Sequence, residues 1–132
     1  MNTSSKTNEP QARYVIYIRT ATVEPDTATQ RQHICEVHGA RCQAAAVQQL
    51  GANAMHVDTF VDLGVGCGPG SPLGKGWLKM MRGAKDGAFD YIAVIRLDRI
   101  HRFRDKLKLR LRTLTKYGVK VLVAGDDWLI TR

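Results

Sequence analysis

Tyr91-Ile92-Ala93-Val94-Ile95-Arg96-Leu97-Asp98-Arg99-Ile100-His101-Arg102 is the stretch whose reading decides the fold. Five apolar residues, mostly β-branched or aromatic, run without alternation and then give way abruptly to charge. An apolar run this short suits a strand covered on both faces, as in a parallel sheet flanked by helices. Tyr14-Val15-Ile16-Tyr17-Ile18-Arg19 repeats the pattern near the start of the chain, again with an arginine just past the apolar run. Ligands in such sheets bind beyond the carboxyl ends of the strands. Arg19 and the segment from Asp98 to Arg102 are therefore expected at the business end of the sheet.

The remaining elements follow outward from these two strands. Thr20–Thr29 reads as a loop, with Pro25-Asp26-Thr27 supplying turn and N-cap chemistry. Thr29 to about Leu50 predicts a long helix whose weak apolar face comprises Ile34, Val37, Arg41/Cys42, Ala45 and Ala46, with Gly39 in its middle and Gly51 after it. His56–Val61 predicts a second strand and Trp77–Lys85 a short helix. Phe103–Tyr117 predicts a basic helix with Leu107, Leu111 and Leu114 on one face, ended by Gly118. Val119–Ala124 predicts a last strand. The alternation gives the fold class: α/β, a single domain with a mainly parallel central sheet of four to five strands and helices on both faces.

At 132 residues the chain is one domain by length. No apolar stretch approaches the roughly 20 residues of a membrane span, and the polar start lacks a secretion signal. The formal charge is +8, with an isoelectric point near 9.8. From Arg96 to Lys120 ten Lys or Arg face two Asp, Asp98 and Asp105. This balance favours a polyanion such as DNA, through counterion release and long-range attraction. Three cysteines, an odd count, do not suggest a disulfide frame. Cys35 and Cys42 on one helix would lie roughly 10 Å apart along its axis, too far to bridge. A reduced, cytoplasmic setting is expected. No metal-ligand spacing appears, so no metal or other cofactor is expected.

Three features compete for the chemistry. Arg19, Arg99 and Arg102 offer guanidinium forks that match phosphate oxygens in pairs, and Arg99 and Arg102, three apart, share a face if their segment is helical. The same residues also read as a solvated basic turn in which Asp98 pairs an arginine. The glycine-rich run from Gly64 to Gly76 fails as a P-loop, because the required first glycine is Pro69 and Gly76 replaces the hydroxyl residue. It fails as a dinucleotide fingerprint too, and reads as a mobile surface loop. Cys67 within it has no charged neighbour to lower its pKa. Of His33, His38, His56 and His101, only His101 falls near the arginines, where it would support the residues that contact a ligand.

Taken in order, these segments resemble the catalytic domain of the serine site-specific recombinases, the resolvase and invertase family. Its first motif, Tyr-x-Arg-x-Ser, is matched by Tyr17-Ile18-Arg19-Thr20-Ala21-Thr22, with Gln30 and Gln32 following on the next helix. Its second, Asp-x-Gly-x-Ser-Gly, is matched by Asp62-Leu63-Gly64-Val65-Gly66-Cys67. Its third, Leu-Asp-Arg-Leu-x-Arg, is matched by Leu97-Asp98-Arg99-Ile100-His101-Arg102 with one conservative change. The resemblance covers about residues 13 to 126. It implies a resolvase-like fold and DNA cleavage by a serine hydroxyl, with exchange and rejoining that need no metal or ATP. Carried over by position, Arg19, Arg99 and Arg102 hold the scissile phosphate. Asp98 handles a proton or orients an arginine, while Tyr17, Gln30, Gln32 and Asp62 support the site.

The departures from the pattern shape the functional expectation. Ala21 stands where the nucleophilic serine belongs, and a methyl group cannot attack phosphorus. Thr20 and Thr22 flank it, but neighbours on an extended chain point to opposite sides. Gly66-Cys67 replaces the Ser-Gly pair. Lys75 stands for a phosphate-binding arginine, and lysine lacks the bidentate fork. The sequence predicts a flexible tail over 1–12 and a catalytic-domain fold over 13–132 without a C-terminal DNA-binding domain. The first functional expectation is a cleavage-inactive relative with a DNA-binding or regulatory role, as a homo-oligomer or beside another recombinase. The alternatives are an active DNA recombinase domain seen in a shortened or Ser-to-Ala version, and a protein-interaction module using the basic helix.

Overall fold

Every residue from Tyr14 to Arg19 is buried, a condition a strand meets only with neighbours on both edges and layers on both faces. The computed structural model describes residues 11–20, 28–63 and 74–125. Its elements in chain order are β1 (Arg13–Thr20), α1 (Ala28–Leu50), β2 (Met55–Leu63), α2 (Lys75–Lys85), β3 (Tyr91–Val94), a short 3-10 turn at Leu97–Arg99, α3 (Arg104–Lys116) and β4 (Lys120–Val123). The four strands form one sheet in the order β2-β1-β3-β4, and each adjacent pair is parallel.

Because side chains alternate along a strand, the sheet sorts its residues into two cores. Val15 and Tyr17 of β1, Ile92 and Val94 of β3, and Val121 and Val123 of β4 pack with Trp77, Met80 and Ala84 of α2 and with Leu114 of α3. Tyr14, Ile16, Ile18, Ala93 and Leu122 pack on the other face with Cys42 and Ala46 of α1. Thus α2 and α3 share one face and α1 covers the other.

The elements predicted from sequence are present, with shifted limits. β2 runs from Met55 to Leu63 instead of His56–Val61, α2 begins at Lys75 instead of Trp77, and α3 is Arg104–Lys116. On α1 the expected apolar face is corrected at one position. Val37 is 41% exposed, and the fully buried contacts are Cys42, Ala45 and Ala46. These small side chains let the C-terminal half of α1 lie close to the sheet, while Ile34 and Cys35 of its N-terminal half are only partly buried against the same core. Both α2 and α3 end in the same paired-bond motif. Ala88 N–H donates to Gly83 O (2.9 Å) and Gly87 N–H to Ala84 O (3.1 Å), and Val119 N–H donates to Leu114 O (2.8 Å) and Gly118 N–H to Thr115 O (2.9 Å). That geometry needs the positive φ found at Gly87 and Gly118.

At the amino end of the sheet, Arg13 grips Asp90 with both prongs of its fork. Nε donates to Oδ2 at 3.1 Å and Nη2 to Oδ1 at 3.0 Å. Among the described residues no helix is long and apolar enough to cross a membrane. Residues 1–10 of the expected tail, the turn at Pro25-Asp26-Thr27, and the glycine-rich segment from 64 to 73 lie outside the described residues, while Ala12 at the tail's end accepts from the Met55 N–H at 2.8 Å.

Candidate functional site

Three chain segments meet at the carboxyl end of the sheet: the end of β1 at Arg19, the end of β2 at Asp62, and the 3-10 turn after β3. Arg19 and Asp62 are register partners on adjacent strands. Each is nearly sealed from solvent, at 4% and 5% exposure. Charged groups this deep need partners, and each has them on a different element.

Asp62 accepts three hydrogen bonds, each of 2.8 Å. Tyr17 Oη and the Trp77 N–H donate to Oδ2, and the Gly76 N–H donates to Oδ1. Its carboxylate therefore caps α2, where the helix dipole favours negative charge. The same contact explains the glycines that looked like a failed phosphate loop. A Cβ on Gly74 would sit 2.3 Å from Asp62 Cγ, and one on Gly76 would sit 2.9 Å from Val61 O. Only glycine lets the backbone come this close to the carboxylate. Burial, then the hydrogen bond to Asp62, pushes the Tyr17 phenol well above its ordinary pKa, so it stays a protonated donor. Tyr17 also meets Trp77 edge-on, with ring centroids 5.5 Å apart. Asp62 and Tyr17 thus anchor α2 to the sheet.

Arg19 reaches across to the 3-10 turn. Its Nε donates to the Arg99 carbonyl at 2.8 Å and its Nη2 to the Asp98 carbonyl at 2.5 Å. Residues eighty positions apart converge, as the sequence predicts. Through these two bonds the guanidinium holds the backbone of the turn that carries Arg99. On that turn Asp98 Oδ2 lies 3.5 Å from Arg96 Nη2, and Asp98 Oδ1 lies 3.8 Å from Arg99 Nε. The second distance is too long for a hydrogen bond. Arg99 Nε and Asp98 Oδ1 are the two buried side-chain polar atoms among the described residues that have no hydrogen-bond partner.

The expectation that Arg99 and Arg102 share a helical face is corrected. The turn ends at Arg99, Ile100 and His101 are buried, and Arg102 projects into solvent with its guanidinium 5.5 Å from the Phe103 ring. Side chains hold the backbone here in place of a continued helix. Arg110 Nη1 donates to Ile100 O at 2.8 Å, and the Phe103 N–H donates to His101 Nδ1 at 3.0 Å. Arg110 was missed from sequence. Its guanidinium lies 4.5 Å over the Trp77 ring, joining α3, α2 and the arginine turn. The available signal was its position, a cation on the Leu107–Leu111–Leu114 face of an amphipathic helix.

Other expected residues stand further out. Gln30 and Gln32 are exposed on the first turns of α1, and Gln32 Nε2 donates to Glu36 Oε2 at 3.2 Å, one turn along its own helix. Lys75 is exposed at the start of α2. Ala21, Thr22 and Cys67 lie outside the described residues. His38 on α1 is a second residue that sequence reasoning set aside. Burial first, then the charges of Arg99 and Arg41, lower its pKa, which ties it electrostatically to the arginine turn. His101 is lowered likewise, by burial first and then by Arg110, Arg19 and Lys106. Burial pushes the Cys42 thiol up to about 12, so it is no nucleophile. A cavity of about 460 Å³ lined by Tyr91, Thr115, Val119 and Val121, among others, opens at the amino ends of β3 and β4, away from the arginines. Among the described residues no cluster of three or more His, Cys, Asp or Glu is placed to hold a metal.

The comparisons agree with this geometry. The family model described as "Resolvase, N terminal domain" matches residues 14–131. No curated protein matches the chain. Among solved structures, the C-terminal catalytic domain of ISC1926 TnpA, an IS607-like serine recombinase, superposes with a TM-score of 0.65 at 22% identity, over 87% of this chain and 69% of that one. A resolvase family site-specific recombinase from Streptococcus pneumoniae gives 0.66 at 20% identity, over 89% and 74%. The N-terminal catalytic domain of TP901-1 integrase gives 0.63 at 23% identity, over 85% and 77%. With the match spanning nearly the whole sheet and every helix around it, this chain belongs to the resolvase N-terminal domain family of serine recombinases.

Proposed function

We propose that the domain grips the DNA backbone through its arginine turn without cutting it, and serves a recombination system as a DNA-binding or regulatory partner. Family membership supplies DNA recombination as the context. The observation that carries the reading is Arg99 Nε, buried beside a carboxylate it does not hydrogen-bond, on a turn held rigid by Arg19. A phosphate oxygen is the acceptor whose charge and geometry suit that donor. Arg102, exposed next to it, supplies a second guanidinium, and Asp98 orients Arg99 from the other side.

Ala21 sets the limit on chemistry. Phosphoryl transfer to the protein needs a nucleophilic side chain, and the position of the family's serine holds a methyl group. One substitution in an otherwise active enzyme would not also account for Gly66-Cys67 and Lys75, so the inactive reading is favoured over a disabled active domain. The domain then acts as a homo-oligomer or beside a second, cutting recombinase. The test is a supercoiled-plasmid assay with the native chain, read for nicks and for covalent protein–DNA adducts. Binding without adduct is expected, and Arg99→Gln should weaken that binding about tenfold, near 1.4 kcal/mol. An adduct formed by the native chain would overturn the reading.

A further inference from the structure

The two helices that share one face of the sheet are both strongly basic, and neither cationic surface is used by the arginine turn. α2 carries Lys75, Lys79, Arg82 and Lys85 with no acid inside the helix, and all four are exposed. Its apolar residues Trp77, Met80 and Ala84 point inward. On α3, Arg104, Lys108, Arg112 and Lys116 fall at successive i, i+4 positions, all exposed, with Asp105 as the one acid. Four positions per step give a cationic row about 18 Å long. Arg110 over Trp77 shows that the helices are neighbours. None of these exposed cations is ion-paired among the described residues. The opposite face is different, since α1 bears only Arg31, Arg41 and Glu36 as charged residues.

We infer that the outer surface of α2 and α3 is a second DNA-contacting face that lies along the phosphate backbone of duplex DNA. Two physical arguments select this partner. A duplex presents one phosphate per about 3.4 Å of axis on each strand, so an 18 Å row spans the axial length of about five phosphates of one strand, and the winding of the duplex turns only part of them toward it. A protein partner needs an apolar centre from which charged residues are depleted. On the two helices this surface offers Leu78 and Leu109 as isolated large apolar side chains among the cations, with Phe103 at the start of α3. The face rests on the proposal that the domain engages DNA, but it does not use the arginine turn. Its role would be to seat or orient the duplex over a surface broader than one phosphate site.

The experiment measures binding of the full chain to mixed-sequence duplex DNA between about 50 and 200 mM salt. The variant combines Lys79→Gln, Arg82→Gln, Lys85→Gln, Lys108→Gln, Arg112→Gln and Lys116→Gln. All six side chains are exposed, and circular dichroism checks that the variant folds. If about four of them meet phosphates at once, the log–log salt slope should flatten by about 3.6. Arg99→Gln with Arg102→Gln should flatten it by about two contacts at most. An unchanged slope in the six-site variant overturns the second face while leaving the arginine turn standing. A flattened slope there, with no effect of Arg99→Gln and Arg102→Gln, keeps the second face and removes the phosphate role of the turn. Absence of binding by the native chain at low salt overturns both. Equal displacement of the duplex by polyglutamate at matched charge would reassign the face to acidic polypeptides and also overturn the inference.

Discussion

Two arginine–aspartate pairs stand at opposite ends of the same sheet, and they differ in what they leave over. Arg13 and Asp90 are far apart in sequence, and their side chains meet as fork on fork at 3.0 and 3.1 Å. The Arg13 hydrogen bond holds the Asp90 carboxyl below its usual range. Arg99 and Asp98 are adjacent in sequence, so their side chains leave the backbone in different directions. Their closest approach is 3.8 Å, and the two facing atoms have no hydrogen-bond partner. The first pair is closed by two hydrogen bonds and staples the start of β1 to the residue before β3. In the second, the arginine Nε and the facing carboxylate oxygen are buried without closing a hydrogen bond. The identity of the residues does not distinguish structure from function here; the geometry imposed by sequence separation does.

The carboxyl end achieves this because another carboxylate carries the mechanical load. Asp62→Ala would strand Tyr17 Oη and two backbone N–H groups at once. A loss of about 3 kcal/mol in urea unfolding is expected, with Asp62→Asn losing less because its side-chain oxygen still accepts. If Asp62→Ala unfolds at the native midpoint, α2 is held by something else and the division of labour between Asp62 and Arg99 collapses.

A smaller effect separates the two ends by pH. His101 and His38, both at the arginine end, have folded-state pKa values below the ordinary 6.5. Their neutral forms are favoured on folding, so stability is full above pH 6.5 and falls as pH drops below it. Asp90 works in the opposite range. Its lowered pKa adds stability present above about 3.8 and lost as pH falls further. Unfolding profiles should therefore show one decline starting near pH 6.5, reduced in His101→Gln, and a second in strong acid, reduced in Asp90→Asn. A profile flat down to pH 4.5 would remove the histidine contribution.

Which parts were legible in the sequence follows from the same distinction. β1 and β3 announced themselves because burial on both faces demands unbroken apolar runs. α1 was harder, since its buried contacts are Cys42, Ala45 and Ala46, small residues that barely register as a stripe. The convergence of Arg19 with the turn at residues 98–99 was readable from their places after parallel strands. The carbonyls that Arg19 meets were not, because nothing in the spacing tells which backbone groups a guanidinium reaches. Gly74 and Gly76 were read as loop glycines, yet they answer to a carboxylate twelve to fourteen residues upstream. Arg110 was hidden among the surrounding lysines and arginines of α3. Its stacking on Trp77 depends on how two helices share a face, a tertiary fact.

The central claim is that Arg99 Nε, which has no acceptor, is kept for a phosphate, while Arg13 Nε is engaged by Asp90. It is tested most directly by following the arginine Nε–H resonances of the isotopically labelled chain during titration with duplex DNA. The account predicts that the Arg99 signal shifts and saturates with binding while the Arg13 signal stays in place. A stationary Arg99 signal at saturating DNA would contradict it.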